Sequence, residues 1–229
     1  MIGRIRGIIF DLDDTLFDCT GQLTQPARRR AAQILASAHP DLSIETGYRQ
    51  QVLLSQTHGS SEAIRLLGTR YNIPPNIVER ALDAYNPRSV EAIVPFPDVL
   101  PTLATLVQRG YQLALVTSGN LDRQREKVRL LGLCDYFSEA DNTFILHDDR
   151  KSSDKGQSLA QAAKALSLPH VHILCVGDKI TDEIAAAKTL GMTTVRLRHG
   201  RQKNRKPQTP AEQPDIEIDR ISQLLSLLP

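Results

Sequence analysis

No stretch of this 229-residue chain approaches about 18 consecutive apolar residues, the length a helix needs to cross a bilayer, so no membrane span is expected. Arg4 and Arg6 precede an apolar run that stops after Phe10, too short for the core of a secretory signal. Cysteine is scarce. Cys19, Cys134 and Cys175 are odd in number, far apart and free of Cys-x-x-Cys spacing, which argues against both a disulfide framework and a cysteine-built zinc cluster. A reducing cytoplasm is the expected compartment. Charge of one sign is also missing: 28 Lys and Arg face 26 Asp and Glu, a formal net charge of +2. Nothing in that balance recruits nucleic acid or an acidic membrane, so partners must be argued from local sites. The chain has no internal repeat and no GxxxxGK[ST] phosphate loop, which disfavours a P-loop nucleotide hydrolase.

What is present is an alternation of two textures. Gly7-Ile8-Ile9-Phe10, Leu113-Ala114-Leu115-Val116 and Ile173-Leu174-Cys175-Val176 are short, continuously apolar runs, the signature of strands buried on both faces of a parallel sheet. Helical spacing separates them over 99–109, 121–131, 156–166 and 182–190, and Gly110, Gly132 and Gly191 follow as C-terminal caps. This order predicts an α/β fold, a doubly wound Rossmann-like parallel sheet. From about Thr20 to Pro95 the rhythm breaks into helical patterns at 26–38, 44–56, 61–71 and 77–85 with no strand among them, and Pro95-Phe96-Pro97 marks the return to the sheet. The expected organisation is a core of residues 1–19 and 96–229 with an inserted all-helical cap of residues 20–95. The basic segment 196–206 reads as a solvated loop rather than a phosphate-binding flap.

The first strand runs into Asp11-Leu12-Asp13-Asp14-Thr15-Leu16. Two carboxylates two residues apart, at the carboxyl end of a buried strand, face the crevice where open α/β sheets bind ligands. Burying them without a cation or a chemical role would be costly. Asp14 and Thr15 can serve as a turn and helix cap, but a cap has no need of Asp11 and Asp13. A second acidic group, Gly177-Asp178-Lys179-Ile180-Thr181-Asp182, follows the strand at 173–176. Magnesium takes one or two carboxylates with carbonyls, waters and a substrate phosphate, and Asp11 and Asp178 can supply the carboxylates. Asp182 supports that shell rather than entering it.

The DxDxT sequence after an apolar strand, Thr117-Ser118-Gly119-Asn120 after the second strand, and the GDxxxD acidic motif together resemble the haloacid dehalogenase-like superfamily over almost the whole chain. The resemblance implies a cytoplasmic, magnesium-dependent phosphatase that acts on a small phosphorylated metabolite, needing neither nucleic acid nor membrane. Asp11 would form an aspartyl-phosphate, and Asp13 would act as acid and base and give its backbone carbonyl to the metal beside Asp11 and Asp178. Thr117, with Ser118, would hold the phosphoryl group. The family also places a lysine near the start of the helix before the GD strand. Lys155 fits that spacing better than Lys151, with Ser152, Ser153 and Asp154 read as the approach and N-cap of the helix.

Asp13 favours phosphoryl transfer over dehalogenation, because departing halide needs no proton. Phosphomutase and a non-catalytic regulatory module on the same scaffold are the alternatives. The cap would choose the leaving group. Arg28, Arg29 and Arg30 are consecutive and cannot all face one site, and His58 is expected in a turn.

Overall fold

A computed structural model describes residues 5–87, 89–90, 92–148 and 155–228. Lys151, Ser152, Ser153 and Asp154 therefore lie outside the described residues. Among the described residues six strands form one sheet: β1 (Gly7–Phe10), β2 (Gln112–Ser118), β3 (Phe144–His147), β4 (Ile173–Gly177), β5 (Thr193–Leu197) and β6 (Ile216–Ile218). Every pairing is parallel, in the order β3-β2-β1-β4-β5-β6. That is the doubly wound order, and its direction of winding reverses between β1 and β4. All residues of β1 and β4 are buried, as continuously apolar central strands require.

Phe10 pairs with Leu115 on one side and Val176 on the other, so the residues that follow β1, β2 and β4 emerge on one edge of the sheet. The Asp11 amide donates to Val176 O at 2.9 Å, tying the first carboxylate to β4. The helices α5 (Val99–Gln108), α6 (Leu121–Leu130), α7 (Gly156–Ala165), α8 (Ala185–Thr189) and α9 (Leu224–Leu227) belong to this unit. Gly110, Gly132 and Gly191 have φ of 84°, 69° and 77°, the left-handed C-terminal stop read from the sequence. Leu159, Ala162 and Ala163 of α7 pack with Ile9, Val116 and Cys175 of the sheet in one buried cluster.

Between β1 and α5 the chain forms a second unit, residues 20–89, with helices α1 (Gln25–Ala36), α2 (Ile44–His58), α3 (Ser60–Arg70) and α4 (Pro75–Tyr85). The two compact units divide between Ser89 and Val90, a few residues before the prolines at 95 and 97. The helical unit has its own core of Ala31, Leu35, Ile64, Leu67, Ala81 and Leu82. Each Leu or Ile fully buried there contributes about 1.5–3 kcal/mol, enough for the unit to hold a defined shape. Ser43 accepts from the Thr46 amide at 3.1 Å and starts α2.

The three consecutive arginines take three different neighbours. Arg28 is buried and donates to Ser55 Oγ at 2.7 Å, Arg29 lies over the Tyr48 ring, and Arg30 donates to Ala84 O. His58 is an exposed residue at the end of α2, and the turn itself falls to Gly59, whose φ is 77°. Among the described residues no helix is long and apolar enough to cross a membrane, and all three cysteines are free.

Candidate active site

The turn after β1 is tight. The Thr15 and Leu16 amides both donate to Leu12 O, and Asp14 takes φ of 60°, a left-handed conformation that a short polar side chain tolerates. Asp11 is left 7 % exposed at the sheet edge. Lys155 meets it there. The lysine occupies the N-cap position of α7 itself, one residue later than the cap read from the sequence, and is 4 % exposed. Its Nζ donates to Asp11 Oδ1 at 2.8 Å and to Glu183 Oε2 at 3.2 Å, with Asp182 Oδ2 at 3.8 Å.

Glu183 owes its place to local backbone geometry. After Asp178 the segment Ile180–Ile184 forms a π-helical turn, wider than an α-turn. The turn folds the Glu183 side chain back over Gly177, where any Cβ would run into its carboxylate. The Lys179 amide donates to Glu183 Oε1 at 2.7 Å and holds it there. Oxygens of Asp11, Asp178 and Glu183 consequently lie within 4.8 Å of one another. Asp182 stands aside, ion-paired with Lys179 at 3.1 Å.

Three acids and one lysine leave this cluster short of positive charge. Burial, then the charge of Lys155 working against it and that of Glu183 adding to it, push Asp11 up to about 7. Burial, followed by Glu183 and Asp11, raises Asp178 well above the usual carboxylate range. For Lys155 burial opposes the charged form, but Asp11, Glu183 and Asp182 outweigh it and raise the ammonium well above its ordinary value. A cluster of hard carboxylate oxygens with uncompensated negative charge fits a small divalent cation such as magnesium.

Thr117 and Ser118 end β2, the strand beside β1. Gln124 Nε2 donates to Thr117 Oγ1 and, at 2.9 Å, to Ser118 O, which fixes the amide orientation because a carbonyl only accepts. The Thr117 hydroxyl thus receives a hydrogen bond and keeps its own proton to donate. Ser118 Oγ is buried and has no partner among the described residues. Asp13 is directed differently: both its oxygens accept from Lys127 Nζ at 2.8 Å, and that ammonium also lies 5.8 Å from the Phe17 ring centroid.

The structure therefore gathers Asp11, Lys155 and Asp178, leaves Asp182 at the margin 3.8 Å from Lys155, sets Thr117 and Ser118 on the adjoining strand end, and turns Asp13 toward Lys127. Sequence reasoning missed Gln124, Lys127 and Glu183. A signal existed for two of them: Gln124, Lys127 and Val128 have helical spacing on the buried face of α6, where a polar residue needs a reason. Glu183 had no such signal, since its position depends on the wide turn.

A family model described as haloacid dehalogenase-like hydrolase matches residues 5–191. A glyceraldehyde 3-phosphate phosphatase of Methanopyrus kandleri is 33% identical over 98% of this chain and 97% of its own length. A second protein of that name, from Pyrococcus furiosus, is 29% identical over 98% of this chain and 93% of its own. In fold, a predicted phosphoglycolate phosphatase of Haemophilus somnus superposes over the full length of both chains with a TM-score of 0.72 at 19% identity. With the motif carboxylates at the switch point of the sheet and the family model covering most of its length, the chain belongs to the haloacid dehalogenase-like hydrolases.

Proposed function

We propose that the chain is a cytoplasmic, magnesium-dependent phosphatase that hydrolyses a small phosphomonoester through an aspartyl-phosphate on Asp11. The observation that carries this reading is a buried carboxylate, Asp11, held by Lys155 within 4.8 Å of Asp178 and Glu183, with a second carboxylate two residues on. Asp11 and Asp178 would hold magnesium with the Asp13 carbonyl, and Glu183 fits as a further carboxylate beside them. Bound magnesium would supply the positive charge that keeps Asp11 ionised and offsets the phosphoryl oxygens.

The chain's own residues do the rest. Asp11 attacks phosphorus in line, and the alcohol oxygen departs as the phosphoryl group passes to the carboxylate. Lys155 and the Thr117 hydroxyl, whose lone pair is already engaged by Gln124, donate to the equatorial oxygens where charge is greatest. Asp13 in its protonated form gives a proton to the leaving oxygen, the resulting carboxylate takes one from the water that cleaves the acyl phosphate, and Lys127 directs Asp13 in its ionised form. The named activity of two relatives that align over nearly the whole chain makes glyceraldehyde 3-phosphate the first substrate to test.

Phosphate release from glyceraldehyde 3-phosphate and from p-nitrophenyl phosphate, with and without magnesium, tests the reaction. Acid-quenched enzyme should carry the mass of one phosphoryl group on the peptide containing Asp11, and Asp11→Asn should abolish both signals. Turnover by Asp11→Asn above a tenth of the parent rate would remove Asp11 from the nucleophile's role.

A further inference from the structure

The basic segment that the proposed reaction leaves unused does not form an even solvated surface. Arg196, Arg198, Lys203, Arg205 and Lys206 line one concavity of about 380 Å³, with Glu217 as its acidic member. Arg196 forms the floor. It is a residue of β5, 3 % exposed, and its Nη1 donates to Glu217 at 2.9 Å. Its Nη2 donates to Gln202 O at 2.7 Å and reaches Lys203 O at 3.4 Å, which draws the following loop over the strand end. The buried Nε of the same guanidinium has no partner among the described residues. A buried donor left unmade is costly, so its retention calls for an acceptor.

The one carboxylate is already engaged. Glu217 accepts from Arg196 and also faces Arg198 at 3.9 Å. Lys203, Arg205 and Lys206 are exposed on the rim, and among the described residues none of them has an acidic partner. Arg198 also reaches Asp219 Oδ1 at 3.6 Å, so the excess charge rests on Lys203, Arg205 and Lys206, which repel one another in a space of this size, and an incoming anion relieves that repulsion. The lining includes no aromatic side chain on which a base could stack, and the net charge of +2 provides no wider field for a nucleic-acid backbone. We propose that this concavity binds a small, multiply charged oxyanion of the polyphosphate class, at a site whose lining shares no residue with the Asp11 cluster, although Gly200 and Arg201 of the same segment lie against Asp14.

The test is calorimetric titration of the full chain, stripped of divalent ions on a chelating resin, with tripolyphosphate at low ionic strength. The triple variant Lys203→Gln/Arg205→Gln/Lys206→Gln, all exposed positions, should keep its circular dichroism and lose about tenfold or more in affinity. Asp178→Asn, which disturbs the other site, should bind tripolyphosphate as the parent does. Equal affinity in the parent and the triple variant would overturn the proposal, as would binding lost in Asp178→Asn. Orthophosphate binding as tightly as tripolyphosphate would overturn the polyphosphate class. A single-stranded oligonucleotide that binds more tightly than tripolyphosphate, and loses that affinity in the triple variant, would replace the small-anion assignment with an extended nucleic-acid surface.

Discussion

Replacing Asp178 by Asn should make the metal-free protein more stable while ending its response to magnesium. Oxygens of Asp178, Asp11 and Glu183 lie within 4.8 Å, and two unit charges at that distance repel by about 3.5 kcal/mol at an effective dielectric constant of about 20. Lys155 compensates one charge of the three, and Asp178 partly escapes the repulsion by holding its proton to higher pH. The net gain from the substitution is therefore smaller, about 2 kcal/mol, or about 4–8 °C in Tm for a chain of this size.

The pH dependence follows from the direction of the shift. An unfolded aspartate ionises near about 3.9, whereas folded Asp178 ionises well above that, so the folded state holds more protons between the two values. Stability of the metal-free parent accordingly falls as pH rises through that window, and an Asn at 178 removes its share of the fall. The variant's advantage should be smallest near about pH 4, where an unfolded aspartate ionises and the window opens, and larger at pH 8. Thermal denaturation at both pH values, with divalent ions removed and then with excess magnesium, reads all four states. A variant less stable than the parent at pH 8 without metal, or stabilised by magnesium as much as the parent, would refute the electrostatic account.

Lys155→Met should cut turnover by about a hundredfold or more with the fold retained, because the phosphoryl group would then face Asp11 and Glu183 unshielded; steady-state kinetics with p-nitrophenyl phosphate measures it. Lys127→Met should separate leaving groups. Hydrolysis of alkyl phosphates, which need a proton from a correctly directed Asp13, should drop by about tenfold or more, while p-nitrophenyl phosphate loses less than about threefold. Equal losses on both would show that Lys127 only supports the fold. Gly177→Ala should raise the magnesium concentration needed for half-maximal activity, because its Cβ displaces Glu183, and an unchanged requirement would detach Glu183 from the metal response.

The central strands were legible because burial on both faces leaves no alternative to unbroken apolar runs, and β1, β2 and β4 appear where those runs stand. The edges were not. β3 ends in the polar His147, which bonds to Ser158, and β6 is the three-residue Ile216-Glu217-Ile218, whose alternation reflects an edge position. Neither presents the texture that marked the centre. The helical unit was legible from period alone, although its boundary at Ser89 precedes the proline signal, since a compact unit ends where its contacts end rather than where the chain is stiffest.

The site divides along the same physical line. Asp11, Asp178 and Lys155 sit at points that chain connectivity determines, two strand ends and a helix start, so their meeting follows from the parallel order of β1 and β4. Glu183 depends on the extra residue that a π-helical turn takes in. In a regular α-helix beginning after Lys179, residues 182 and 183 point about 100° apart, and spacing alone cannot say which returns to the sheet. The π-helical turn over 180–184 resolves that choice in favour of Glu183, and the bare Gly177 beneath it is the complementary half of the same device. The motif glycine thus has a steric role: it makes room for the carboxylate that Lys155 shares with Asp11. The metal requirement of Gly177→Ala and the turnover of Lys155→Met consequently report on one contact from its two sides, and a double variant should lose less than the sum of the two single losses in free energy.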